Sequence, residues 1–140
     1  MNVRQLSFAA AGLTMAASIA GLLPAGPAAA ATPKCTTTMV MGSSEAGAGF
    51  MTVPWGGGTT RCSLSEGAKN TAVTALQRMM YYCYSEKSLS ADGDFGPATK
   101  AALKRTQTKI GASSDGQYGP ETASKIDGVG DSGCGRFPAK

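Results

Sequence analysis

Hydrophobic and polar positions change from a strand-like to a helical pattern near residue 65. Two short runs of β-forming residues, Thr36–Met41 and Phe50–Val53, are separated by Gly42–Gly49, which is rich in Gly, Ser and Ala. Pro54 and a glycine triplet follow the second run. The pattern predicts a two-stranded β-hairpin, which is only marginally stable alone and therefore needs a covalent link or a packing partner.

Beyond residue 65 the apolar residues recur at helical spacing. Val73, Leu76 and Met80 form one apolar face over about three helical turns. Asn70 precedes this run, and asparagine is well suited to the cap of a helix. The pattern predicts a first helix that begins near Asn70 and buries this face in the core.

One short pattern occurs twice in the second half of the chain. Asp92–Thr99 reads DGDFGPAT and Asp115–Thr122 reads DGQYGPET. In each copy Asp-Gly favours a tight turn, and the proline is suited to the first position of a helix. The aromatic residues, Phe95 and Tyr118, are predicted to anchor the turns in the core. The chain is therefore predicted to have three helices, beginning near Asn70, Pro97 and Pro120.

The N-terminal segment has the layout of a secretory signal peptide. Arg4 supplies a positive charge, an apolar run extends from Leu6 to Leu23, and Ala28–Ala31 offer a small-residue cleavage site. The run is barely long enough to span a bilayer and is rich in Ala, Gly, Ser and Thr, which argues against a membrane anchor. We expect a mature chain that begins near Ala31 or Thr32.

Charge alone selects no function. The whole chain carries a net charge of +4, which falls to +3 without Arg4. The basic residues form one small cluster, Lys100, Lys104, Arg105 and Lys109. Nucleic-acid-binding proteins usually show a denser basic stripe, so no nucleic-acid partner is expected. A mild positive charge also suits contact with an anionic cell wall.

Four cysteines are present, and the chain contains no histidine. In an exported protein an even number of cysteines indicates disulfides, here two. No C-x-x-C spacing is present, so a structural zinc site is not expected. Three connectivities are possible. We favour a bridge from Cys35 to Cys62 across the ends of the hairpin, and one from Cys83, at the end of the first helix, to Cys134 in a C-terminal tail.

The sequence argues against catalysis. Asp92, Asp94 and Asp115 could be read as the carboxylate pair of a glycosidase, or as part of a calcium loop. They lie in turns where aspartate is the expected structural residue, and the other calcium ligands are missing. Without histidine there is no Ser-His-Asp or Cys-His site. We expect no enzyme activity, no metal and no cofactor.

These motifs together resemble a known family. Gly67–Gln77, followed by the two turns, resembles the three-helix peptidoglycan-binding domain, which typically reads G-x-x-G-x-x-V-x-x-L-Q before two D-G-x-aromatic-G turns. The resemblance covers Gly67 to Ile126. Two departures stand out. Asn70 replaces a glycine, and Thr106-Gln107 replaces a Phe-Gln pair, which removes a core aromatic and could loosen the second helix.

Taken with the residue patterns above, the resemblance predicts a fold class and a domain layout. The fold would be mainly α, a three-helix bundle with an N-terminal disulfide-stapled β-hairpin. The layout would be a signal peptide over 1–31, the hairpin extension over 32–64, the peptidoglycan-binding-like domain over 65–128 and a tail over 129–140.

The resemblance also implies a function. We expect a secreted, cell-wall-associated and non-catalytic module that binds bacterial peptidoglycan, is monomeric, and contacts no membrane after signal cleavage. A separate wall hydrolase is a further candidate partner. Polar positions of the family map onto Gln77, Asp92, Thr99, Asp115 and Thr122. These residues are at least as well suited to capping and turn hydrogen bonds.

Tyr81 and Tyr82 complete the predicted ligand-binding set. They could form an aromatic platform for sugar or for a protein, or they could pack in the core. The alternative function is a secreted protein-interaction module or inhibitor on the same scaffold, with Tyr81, Tyr82 and Trp55 as its contact patch.

Overall fold

The computed structural model describes residues 29–43 and 49–140. The predicted signal peptide lies almost wholly in residues 1–28, outside the described residues. Three helices and four strands follow in the order β1 (Thr37–Gly42), β2 (Phe50–Trp55), α1 (Thr71–Cys83), α2 (Pro97–Lys109), α3 (Pro120–Lys125), β3 (Asp127–Gly130) and β4 (Gly133–Arg136).

The three helices begin where the sequence predicts. Asn70 caps α1, and its side chain accepts a hydrogen bond of 3.2 Å from the Val73 amide. Pro97 and Pro120 start α2 and α3, where the missing proline N–H would have had no helical partner. The helix α2 is continuous across Thr106, so the loss of the expected aromatic does not interrupt it.

The core also contains the predicted residues. Phe95 and Tyr118 are fully buried, which confirms them as anchors of the two turns. Backbone hydrogen bonds join Tyr118 to Leu64 in both directions, and burial raises the pKa of the Tyr118 phenol. The predicted helical core residues are buried as well: Val73, Leu76, Met80 and Leu103.

The four strands form one antiparallel sheet in the order β1-β2-β3-β4. The predicted N-terminal hairpin is present, with Thr37 opposite Trp55 and Gly42 opposite Phe50. Met51 and Val53 point from β2 into the core, so the hairpin is packed against the helical part rather than standing alone.

The prediction of a mainly α fold is wrong. The segment 129–140, predicted as a tail, contributes to the hairpin β3–β4, which adds two strands to the sheet. Its sequence is glycine-rich, and glycine has low strand propensity, so no strand was predicted. Tertiary packing overrides that propensity. A Cβ on Gly128 would lie 2.9 Å from Met51 Sδ, so a side chain at this position would force Met51 to move.

The two disulfides link the cysteine pairs that the sequence analysis favours, but they join other elements than expected. The structure links Cys35 to Cys62 and Cys83 to Cys134. Cys62 lies beyond the end of β2 at Trp55, so its bridge does not close the ends of the hairpin. The bridge links the residue two positions before β1 to the segment between β2 and α1, close to buried Leu64. Cys134 lies in β4, so the second bridge fastens the end of α1 to the sheet edge.

Removing the second disulfide should destabilise the protein and release its C-terminal strands. The two cysteines are 51 residues apart, and loop entropy then predicts a loss of about 4 kcal/mol in the free energy of unfolding for the double variant C83A/C134A. Chemical denaturation measures this loss. Hydrogen exchange should accelerate at the amides of β3 and β4 before those of α1, and unchanged exchange in these strands would contradict the assigned role.

A second stability prediction concerns Thr106. Its side chain is fully buried, and its hydroxyl has no hydrogen-bond partner within the described part of the chain. A buried unpaired hydroxyl costs about 1–3 kcal/mol, so Thr106→Val should raise the free energy of unfolding by about 1 kcal/mol or more. Thr99→Val is the matched control, since that hydroxyl is hydrogen-bonded, and it should lower stability. Destabilisation by Thr106→Val would show that the hydroxyl has a partner.

Candidate functional site

The first Asp-Gly turn is organised by Gln77 of α1. Its side-chain amide donates to Asp92 Oδ1 at 2.8 Å, to the Asp94 carbonyl at 3.0 Å and to Thr99 Oγ1 at 3.0 Å. Its carbonyl oxygen accepts from the Gly93 amide at 2.8 Å. One glutamine side chain therefore forms hydrogen bonds with polar groups of the Asp-Gly turn and of the first turn of α2.

The second Asp-Gly turn has the same arrangement around Gln107 of α2. The amide donates to Asp115 Oδ1 at 2.9 Å, to the Gln117 carbonyl at 2.8 Å and to Thr122 Oγ1 at 3.1 Å. Its carbonyl oxygen accepts from the Gly116 amide at 2.8 Å. The two turns thus share one hydrogen-bond pattern, with Gln107 in the role of Gln77.

Hydrogen bonds at these turns also shift the pKa values of nearby carboxyl groups. The Asp94 amide donates to Asp92 Oδ1, and together with the Gln77 amide it lowers the pKa of the Asp92 carboxyl. Near the second turn, Lys125 and Ser113 donate to Glu121 and lower its pKa to about 2. Both carboxylates are kept ionised at neutral pH, so neither is poised to donate a proton.

The predicted polar ligand residues are therefore brought together in two separate networks. Gln77 is 1 % exposed, Thr99 is 2 % and Thr122 is 3 %, and their polar atoms face one another. The side chains of Asp92 and Asp115 reach the surface, with one oxygen of each turned into its network. These contacts give all five residues a structural role, and contact of any of them with a ligand stays a prediction.

Gln107 was missing from the predicted set although it is the equivalent of Gln77. The signal was present, because Gln107 is the glutamine of the Thr106-Gln107 pair at the position of the family's Phe-Gln. It lies in α2 only eight residues before Asp115, whereas Gln77 lies fifteen before Asp92. Because the two glutamines precede their aspartates by different numbers of residues, aligning the two turn motifs does not place Gln107 opposite Gln77.

Tyr81 and Tyr82 lie together near the end of α1. Their rings meet edge to face with centroids 4.9 Å apart, and the Lys87 ammonium lies 4.3 Å from the Tyr81 centroid. Tyr82 is 56 % exposed. Both rings line a cleft of about 300 Å³, the tyrosine cleft, with Thr74, Arg78, Leu89 and Ala91.

Their neighbour Tyr84 has a structural role. Its hydroxyl accepts a hydrogen bond of 2.7 Å from the Asp127 amide at the start of β3, and burial raises its pKa to about 12. Trp55, the other aromatic of the predicted contact patch, is half-buried at the end of β2. It lines neither the tyrosine cleft nor the cleft between the sheet and α1.

A second cleft lies between the sheet and α1. In the register of β1 and β2, Thr38, Thr52 and Phe50 share the face opposite to that of buried Met51. This face and α1 line a cleft of about 340 Å³, the sheet cleft, at the lower end of the roughly 300–1,000 Å³ usual for ligand sites. The lining residues from the other elements are Thr71, Thr74, Ala75, Arg78, Val129, Gly130 and Asp131.

The two clefts adjoin along α1. Thr74 and Arg78 line both, one helical turn apart on the exposed side of the helix. Sequence reasoning missed Arg78 because a single exposed cation on a helix is unremarkable until the hairpin is known to lie beside it.

Across residues 29–43 and 49–140 there is no group of three or more His, Cys, Asp or Glu side chains placed to hold an ion. In the same ranges, none of the helices combines the length and apolar character needed to cross a bilayer.

Replacing either buried glutamine should test whether its role is structural. Methionine matches glutamine in size but makes none of the four hydrogen bonds, so Gln77→Met and Gln107→Met should each lower the free energy of unfolding by about 2–4 kcal/mol. The two effects should add in the double variant because the networks share no residue. Chemical denaturation tests this, and a loss below 0.5 kcal/mol, within the usual scatter of surface substitutions, would refute it.

Comparison with known proteins agrees with this geometry. Residues 69–126 match the peptidoglycan binding domain family, and this range contains α1, α2, α3 and both turns. The chain is 40% identical over 116 residues to a zinc D-Ala-D-Ala carboxypeptidase of Streptomyces albus G, which covers 82% of this chain and 42% of that enzyme. It is 35% identical over 86 residues to an uncharacterized protein from the bpoA1 3' region of Kitasatospora aureofaciens, with 61% of this chain and 73% of that protein covered.

This chain thus spans less than half the length of the carboxypeptidase, and more than two thirds of the second relative. The matched segment and its two glutamine-centred turns lead to one conclusion: the chain belongs to the peptidoglycan-binding domain family.

Proposed function

We propose that this chain is a secreted, non-catalytic module that holds bacterial peptidoglycan in the surface beside α1. One observation carries the proposal: the family segment supplies the helix whose exposed side lines two adjoining clefts. The inward side of that helix is occupied by the core and by Gln77, so the exposed side is the part left for a ligand.

The proposal that the module is non-catalytic rests on its residue types. The carboxypeptidase relative is a zinc enzyme by name, and catalytic zinc is usually held by three His, Cys or carboxylate ligands. This chain has no histidine, and its four cysteines are bridged. The aligned part covers only 42% of that enzyme, so we assign its activity to the remainder.

The carboxylates at the turns also favour a structural reading. A retaining or inverting glycosidase needs two carboxyl groups that flank one bond, one of them with a raised pKa. Asp92 is engaged by Gln77 and has a lowered pKa, and Asp115 is engaged by the other glutamine. The geometry therefore supplies no acid for glycoside cleavage at these residues.

The cellular setting follows from the same proposal. Two disulfides favour an oxidising compartment, and peptidoglycan lies outside the membrane, so we infer a secreted protein associated with the cell wall. The module would act as a monomer, and a separate wall hydrolase working on the same polymer is its proposed functional partner.

Co-sedimentation with purified peptidoglycan tests the function directly. The oxidised protein from about residue 32 should pellet with sacculi and should remain bound at about 1 M salt, where charges are screened beyond roughly 3 Å. Soluble muropeptides and free D-alanine in the supernatant should stay at the level of a protein-free control.

Other outcomes have distinct meanings. Release by modest salt would show that contact is mainly electrostatic. Product release would overturn the non-catalytic assignment. Failure to pellet at any salt would refute peptidoglycan binding and favour a protein-interaction module, for which exposed Tyr82 offers a contact.

A further inference from the structure

Arg78 differs from Arg105 and Arg136 in that its guanidinium has no polar partner among the described residues. The guanidinium of Arg61 has none either, but Arg61 lies outside both clefts. Arg105 is held by Glu86 at 2.6 Å, and Arg136 contacts Asp127 at 3.1 Å. Arg78 is exposed on α1, and within residues 29–43 and 49–140 its guanidinium makes no hydrogen bond or ion pair. It lies where the sheet cleft meets the tyrosine cleft, so a ligand in either cleft can reach it.

The surroundings of Arg78 suit an extended polar chain. The sheet cleft is bordered by four threonines, two from the hairpin and two from α1, and no side-chain hydrogen bond ties up their hydroxyls in the described structure: Thr38, Thr52, Thr71 and Thr74. A hydroxyl can donate to a carbonyl or accept from an amide. Such a set can satisfy a peptide backbone without selecting its side chains.

The cleft also carries a charge of opposite sign. Asp131, in the turn between β3 and β4, lines the same cleft as Arg78. A carboxylate there repels a polyanion such as a phosphodiester polymer, whereas a ligand with both a free carboxylate and a free amine is attracted at both ends. The charge pattern therefore favours a peptide end over a phosphate chain.

The walls that complete this cleft come from outside the family segment. Thr38, Phe50 and Thr52 precede residue 69, and Val129 to Asp131 follow residue 126. Only the α1 residues belong to the matched range. The sheet, which lies outside the matched segment, thus completes the cleft beside Arg78.

We propose that the sheet cleft binds the free C-terminal end of an uncrosslinked peptidoglycan stem peptide, with Arg78 taking its terminal carboxylate. The guanidinium fork matches a carboxylate in a bidentate contact. Threonine hydroxyls meet the peptide backbone, and Asp131 meets the free amine of the stem. This inference rests on the proposed peptidoglycan-binding function and adds the moiety that is recognised.

Binding of a synthetic stem peptide measured by calorimetry provides the test. The probe is a pentapeptide that ends in D-Ala-D-Ala with a free carboxylate, compared with the same peptide as its C-terminal amide. The wild-type protein should bind the free acid about 10-fold or more tightly than the amide, the usual size of a lost hydrogen bond to a charged group.

Three variants assign the effect to Arg78. Arg78→Gln should abolish the preference for the free acid, and Arg78→Lys should restore only part of it because it lacks the planar fork. Arg61→Gln removes the same charge from an exposed position outside both clefts and should leave the preference intact. Both positions are on the surface, and unchanged thermal unfolding confirms that each of the three variants is folded.

Binding to sacculi, measured beside binding to the stem peptide, distinguishes failure of the carboxylate assignment from failure of the proposed peptidoglycan-binding function. Equal binding of acid and amide, or equal losses in Arg78→Gln and Arg61→Gln, would overturn the carboxylate assignment even where sacculi still retain the protein. Loss of binding by Arg78→Gln only on sacculi that keep their teichoic acid would overturn it in favour of phosphate. Absence of binding to peptide and to sacculi would refute both proposals.

Discussion

A buried glutamine at each Asp-Gly turn is the constraint on which the helical part depends. Each turn brings backbone amides and carbonyls into the interior, where unpaired polar groups are costly. Gln77 and Gln107, both 1 % exposed, satisfy these groups with one amide that donates three times and accepts once. The start of the next helix is held by the same network, so turn geometry and helix placement are determined together.

The helices and their anchors could be predicted because local chemistry determines them. Asn70, Pro97 and Pro120 mark helix starts by capping and by fixed backbone angles, and these effects act within one turn of the chain. The strands β3 and β4 could not be predicted in this way. Gly128 is in a strand because it fits against Met51 from a distant part of the sequence, and because Cys134 is bonded to Cys83.

The residues of the candidate site also differ in whether local sequence or tertiary structure determines them. The residues at the repeated turns were found from their motif, and the motif proved to describe a hydrogen-bond network of the fold. Arg78 belongs to no motif, and its setting depends on the sheet that lies beside α1. A sequence pattern of buried polar residues identifies what the fold needs, whereas a ligand is met by exposed residues whose neighbours are set by tertiary structure.

The two sides of α1 therefore have different roles, and substitutions can test each role independently. Gln77 faces the interior and Arg78 faces the clefts, although they are adjacent in sequence. A change at Gln77 acts on the folded population, because its four partners lose their hydrogen bonds at once. A change at Arg78 removes no hydrogen bond or ion pair of its guanidinium within the described chain. Loss of ligand binding without loss of stability is therefore the property that distinguishes a binding residue from a turn residue on this helix.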